Sequence, residues 1–244
     1  MNFWAITDKG LIRKQNQDTY SSYCDEERGV ALFLVCDGMG GAKAGNIASA
    51  MASESFFSEV KKGLNGKFSV TRLSAVLQNA AALANRMVYD ASFNNEEYGG
   101  MGTTLVSALV AGENTLVINI GDSRAYQITN GNITQITRDH SVVEDLIERG
   151  DLTREESRRH PRKNLITRAL GTAVEVEADI FTPNVLPGDY IILCSDGLTN
   201  IVEDHEILYE VLYGGSIDGC CERLLKIAVD RGAPDNITVV IFKK

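Results

Sequence analysis

Four aspartates stand where a run of apolar residues meets a loop. Asp37 follows the apolar run of "LFLVCDGMGG", and Asp196 follows that of "IILCSDGL". Asp122 lies in "INIGDSRAY", and Asp235 stands just before the run in "PDNITVVIF". Three have a glycine neighbour: Gly38, Gly121 and Gly197. One Asp-Gly pair at a strand end is ordinary turn chemistry. Four acids at the ends of core strands are harder to explain that way, because clustered carboxylates repel unless they are protonated or bridged by cations. Glycine beside such an acid lets the backbone come close and offers its carbonyl as a further oxygen donor. The set is all oxygen. His140 and His160 lie in or beside a basic segment and His205 opens a helix, so no imidazole groups with these acids. That donor set suits a hard cation, Mg²⁺ or Mn²⁺, and not zinc.

Elements must bring these acids together. Short runs rich in Val, Ile and Leu predict strands over residues 30–36, 104–110, 115–120, 190–194 and 237–242. Asn130-Gly131 between apolar flanks predicts a hairpin over 128–136. Helices are predicted over 45–60, 71–91 and 217–229, the second from apolar residues recurring at helical spacing from Leu73 to Val88. Strands come mostly in consecutive groups with helices between them. That order favours an α+β fold with antiparallel sheets over a doubly wound parallel one. With no repeat, no low-complexity stretch and only 4 prolines, the chain reads as one domain, residues 1–244.

The 244 residues carry 33 acids against 24 bases, a formal net charge of −9. Such a surface argues against nucleic acid and anionic membrane as partners. Residues 139–171 reverse the charge, with Arg149, Arg154, Arg158, Arg159, Arg162, Lys163 and Arg168 in one stretch. Thr153 and Glu156 fit a capping box, so a short helix is predicted to start at Arg154. The segment reads equally as a solvated helix hairpin or as a mobile flap beside an anion-binding cleft. The N-terminal residues lack the pattern of a signal peptide, and no apolar run reaches the length of a membrane helix. The 5 cysteines form no CxxC pair and read as small buried hydrophobes. A cytoplasmic protein is expected.

The motifs "GLIRKQNQD", "VCDGMGG", "GGMGTTL", "IGDSRAY", "RDHS", "HPRKNLITRALG" and "CSDGL" with "PDNITVV" occur in one order along nearly the whole chain. In this the chain resembles the metal-dependent protein phosphatases of the protein phosphatase 2C type, in their bacterial form. The resemblance implies a β-sandwich of two antiparallel sheets flanked by helix pairs, in four α-β-β-α layers, with residues 139–171 as a variable flap. It implies hydrolysis of phosphoserine and phosphothreonine in proteins by water activated between two divalent cations, with no covalent phospho-enzyme. Asp37 matches the bridging ligand, and the carbonyl of Gly38 completes one shell. Asp196 and Asp235 match ligands of the other ion, and Asp122 with Asp196 match those of a third, weaker ion found in bacterial members. Asp18 matches the residue that orders bound water, with Asn236 as support. Arg13 matches the phosphate-binding arginine, whose guanidinium grips two phosphoryl oxygens at once. The implied partners are phosphoproteins made by a bacterial Ser/Thr kinase, and a monomer is expected.

The chain departs from the family pattern in places. Gln17 replaces a glutamate of the eukaryotic pattern. Met39 and Ala42 stand where relatives carry histidines, which leaves the general acid unassigned; bound water is the first candidate and His160 the second. Two rival readings are a protein of this fold without catalysis and a phosphatase for small phosphate esters.

Overall fold

The structure, a computed structural model, describes residues 2–40, 44–157 and 160–244. Ala42, Arg158 and Arg159 lie outside the described residues. Eleven strands are named in chain order: β1 (Asn2–Asp8), β2 (Asp18–Asp25), β3 (Val30–Met39), β4 (Gly102–Thr103), β5 (Leu105–Ala111), β6 (Asn114–Ile120), β7 (Arg124–Thr129), β8 (Asn132–Gln135), β9 (Asp179–Phe181), β10 (Tyr190–Cys194) and β11 (Ile237–Lys243). Among the described residues the helices are α1 (Ala44–Gly63), α2 (Val70–Asn94), α3 (Val142–Glu148), α4 (Arg154–Ser157), α5 (Asp196–Thr199), α6 (Asp204–Leu212) and α7 (Cys220–Asp230).

The strands form two sheets, ordered β1-β11-β10-β7-β8 and β2-β3-β5-β6-β9, with β4 paired to β3. Every pairing is antiparallel. Side chains alternate across each strand, and the alternation divides the core in three. In β3, Ala31, Phe33 and Val35 face the other sheet, while Leu32, Leu34 and Cys36 pack under α1 and α2. In β11, Val240 and Phe242 face inward between the sheets, while Val239 and Ile241 pack toward α6 and α7. Phe33 and Phe242 stack across the sheets at 4.4 Å. Three apolar interfaces between four layers are the α-β-β-α sandwich expected. Strands covered on both faces must be apolar throughout, which is why these runs stand out in the sequence.

The elements differ from expectation in detail. The third helix is split: a 3₁₀ turn at Ile217–Gly219 precedes α7, which starts at Cys220. Gly219 has no side chain to cap or extend a helix. β3 does not stop at Cys36. It runs on to Met39, so Asp37 lies inside the strand and not after it, because β4 pairs with Gly38 and Met39. The capping box before α4 is present: Thr153 N–H donates to the Glu156 carboxylate at 2.9 Å and Glu156 N–H to Thr153 Oγ1 at 3.2 Å. Cys36, Cys194, Cys220 and Cys221 are buried and Cys24 half-buried, all unpaired. Among the described residues no helix is long and apolar enough to cross a membrane.

Candidate active site

Antiparallel pairing places the end of β3, the start of β2 and the end of β6 at one edge of their sheet. Asp18 and Asp37 are register partners there, and Asp122 follows β6. The other sheet brings the end of β10 and the start of β11 to its corresponding edge, so Asp196 and Asp235 come from the second layer. Asp196 opens α5, and Asp235 precedes β11.

The other four acids each bear on the carboxyl of Asp37. Burial pushes the Asp37 carboxyl well above its ordinary value, and Asp18, Asp196, Asp122 and Asp235 each push it further. Burial, then the charge of Asp196, raises Asp122 to about 8. Burial raises Asp196 as well, with Asp235 adding to it. Asp18 rises to about 6 through burial, against the hydroxyls of Thr238 and Ser195 that hold it down.

Buried hydroxyls hold the acids and the strand ends beside them. Asp18 Oδ2 accepts from Ser195 Oγ at 2.8 Å and Thr238 Oγ1 at 2.7 Å. Ser195 stands at the start of α5 but does not cap it; its hydroxyl serves Asp18 across the sandwich instead. Asp37 N–H donates to Thr104 Oγ1 at 2.9 Å, Thr103 Oγ1 donates to the Asp37 carbonyl at 2.9 Å, and Thr104 Oγ1 pairs with Ser123 Oγ at 2.7 Å. Gly38 is required by space: a Cβ there would overlap the carbonyls of Gly45 and Gln17. The sequence pointed to the acids and not to these hydroxyls, although "GGMGTTL" contains Thr103 and Thr104.

Arg13 donates to Asp235 Oδ2 at 2.7 Å, with its side chain 52% exposed. Its loop is tied to the turn that carries Asp235. Asn236 Oδ1 accepts from Gln17 N–H at 2.9 Å, and Asn236 Nδ2 donates to the carbonyls of Lys9 and Gln15 at 2.9 and 3.0 Å. Asn236 thus supports the loop leading to Asp18.

The donor set fits divalent cations. Asp18 Oδ1 and Asp196 Oδ1 are buried with no hydrogen-bond partner. Orphaned anionic oxygens among like charges are costly unless a cation takes them up. Among the described residues no three His, Cys, Asp or Glu side chains already stand in finished ligating geometry. The residues offer the oxygens, and their mutual repulsion supplies the reason for an ion to gather them.

A cavity of about 440 Å³ opens beside Asp122 and Asp196 and is also lined by Ser141, Arg154, Ser157 and Lys163. Part of the positive charge in and beside residues 139–171 is neutralised by nearby acids. Arg154 grips Glu144 at 2.8 and 3.1 Å, and Arg138 reaches Glu148 at 2.6 Å. Arg168 pairs with Asp179 at 3.0 Å. Within the described residues Arg149, Arg162 and Lys163 have no acidic partner. His160 Nδ1 accepts from Arg162 N–H at 3.2 Å, a local turn contact.

An α-β-β-α sandwich with five carboxylates and an arginine at one edge defines a metal-dependent hydrolase. The family description "Protein phosphatase 2C" matches residues 13–224, and the chain belongs to this family. It is 34% identical over 238 residues to serine/threonine phosphatase stp of Listeria monocytogenes serotype 4b, covering 98% of this chain and 94% of that protein. The solved serine/threonine phosphatase of S. agalactiae superposes with a TM-score of 0.91 at 33% identity, covering 100% of this chain and 99% of that one. The catalytic domain of PstP, solved with two manganese ions, gives a TM-score of 0.81 at 33% identity over 98% of this chain and 96% of that one. The chain is a protein-serine/threonine phosphatase that uses Mn²⁺ or Mg²⁺.

Proposed function

We propose that Asp37, the carbonyl of Gly38, Asp196 and Asp235 hold two divalent cations, and that Asp122 with Asp196 offers a third, weaker place. The observation that carries this reading is the convergence of four other acids on Asp37, with two buried oxygens left unpartnered. When bound, the cations lower the pKa of water and offset charge on the phosphoryl oxygens. The chain's own residues do the rest. Asp18 is fixed through one oxygen by Ser195 and Thr238 and keeps the other free to orient water beside Asp37. Arg13, exposed and resting on Asp235, turns outward to take two phosphoryl oxygens of a phosphoserine or phosphothreonine. Arg149, Arg162 and Lys163 leave the flap positive, which favours acidic stretches in the substrate.

We further read residues 1–244 as one domain with a flap over 139–171, acting as a cytoplasmic monomer on phosphoproteins made by a Ser/Thr kinase. The test is Mn²⁺-dependent phosphate release from a phosphothreonine peptide, compared with Asp37→Asn. Release without added metal, or undiminished in the variant, overturns the site assignment. Light scattering showing more than one chain per particle overturns the monomer.

A further inference from the structure

The loop between β1 and β2 presents two aliphatic side chains to solvent. Leu11 is 61% exposed and Ile12 70%, and the next residue is Arg13. Single exposed aliphatics are common on any surface. An adjacent pair beside the arginine of the site, on a loop built to stay still, is a different arrangement. Leu11 N–H donates to the Ala233 carbonyl at 2.9 Å, and Gly10 N–H to Asp8 Oδ1 at 2.8 Å. Gly10 has φ +72°, and a Cβ there would overlap the backbone of Asp235. Asn16 Nδ2 donates to Thr7 Oγ1 at 2.8 Å, and Asn236 holds the carbonyls of Lys9 and Gln15. The pair is therefore fixed relative to the turn that carries Asp235. Neither side chain has a structural task that explains its exposure.

We propose that Leu11 and Ile12 form an apolar rim that selects substrates with an aliphatic or aromatic residue within two positions of the phosphoresidue. This rests on the assignment of Arg13 to the phosphoryl group. An extended peptide advances about 3.3 Å per residue, and successive Cα atoms in the loop are about 3.8 Å apart. Leu11 and Ile12 immediately precede Arg13 in the chain, so a peptide whose phosphoresidue rests on Arg13 has this exposed pair within reach of its flanking residues. Covering two exposed aliphatic side chains removes apolar surface from water, and a polar neighbour gains nothing there. The rim and the positive flap read different parts of one peptide: apolar close to the phosphate, acidic further away.

The experiment compares kcat/KM, with Mn²⁺ present, for phosphothreonine peptides carrying Leu or Ser at each of the two positions on either side. 4-Nitrophenyl phosphate, which has no peptide, is the control. The wild-type protein should prefer Leu at one or more of these positions by roughly tenfold. The Leu11→Ser/Ile12→Ser variant should lose that preference and keep its turnover of 4-nitrophenyl phosphate. Equal preference in both proteins, or none in either, overturns the rim. So does a parallel loss of 4-nitrophenyl phosphate turnover, which would mean that the loop acts through Arg13. Failure of the wild-type protein to hydrolyse any of these substrates would overturn the site assignment along with the rim.

Discussion

Asp18→Asn should stabilise the metal-free protein while abolishing its activity. The wild-type carboxyl is buried, and its pKa rises from an ordinary 3.8 to about 6 because burial disfavours the charge. The folded-state value lies above the unfolded one. The stability this group contributes is therefore complete below pH 3.8 and is lost as pH rises through about 6. Holding it ionised at pH 7 costs the fold about 3 kcal/mol. Asparagine is nearly isosteric. Its Oδ1 can accept the same bonds from Ser195 and Thr238, and its amide can donate toward Asp37, its register partner. For a chain of this size each kcal/mol moves Tm by about 2–4 °C, so a gain of roughly 6–12 °C is expected in EDTA at pH 7.5. Thermal melts should also show the wild-type Tm in EDTA falling from pH 5 to 8, a slope that Asp122, with its pKa near 8, extends upward. Saturating Mn²⁺ should flatten the slope and remove the variant's advantage. An unchanged or lower Tm for Asp18→Asn in EDTA at pH 7.5 would refute the account of repelling acids.

Other changes follow from the same geometry. Arg13→Lys should raise KM for a phosphopeptide about tenfold or more, with a smaller fall in kcat, because an ammonium cannot form the two-pronged contact; steady-state kinetics decide it, and an unchanged KM counts against the assignment. His160→Ala should lower turnover of phosphoserine peptides less than tenfold, since the ring serves a turn within the flap; a loss of several hundredfold would make it the missing general acid. Gly38→Ala drives a methyl into the carbonyls of Gly45 and Gln17 and should cost about 3 kcal/mol by urea unfolding, even without metal.

The sequence showed most clearly what is covered on both sides. β3, β5, β6, β10 and β11 read as unbroken apolar runs because helices cover one face and the partner sheet the other. β1 and β2 lie at sheet edges and alternate with polar and half-exposed residues such as Thr19, Ser21 and Ser22, so no run announced them. In the site, the acids were legible because several recur at strand ends in an ordered set of motifs. The hydroxyls were not. Ser195 and Thr238 become meaningful only when folding sets them against Asp18, 177 and 220 residues away. Nor does a basic stretch reveal that Arg154 is spent on Glu144 and Arg168 on Asp179.

The two sheets contribute to the site from opposite sides: Asp18, Asp37 and Asp122 from one layer, Asp196 and Asp235 from the other. An ion held there as proposed would be a rivet through the sandwich, favouring the assembled form. By mass action, scarcity of that ion loosens the edge where the layers meet and exposes the chain to proteolysis. In a cell short of manganese or magnesium, such a protein would be depleted as well as idle, so ion supply would act on its lifetime as much as on its chemistry.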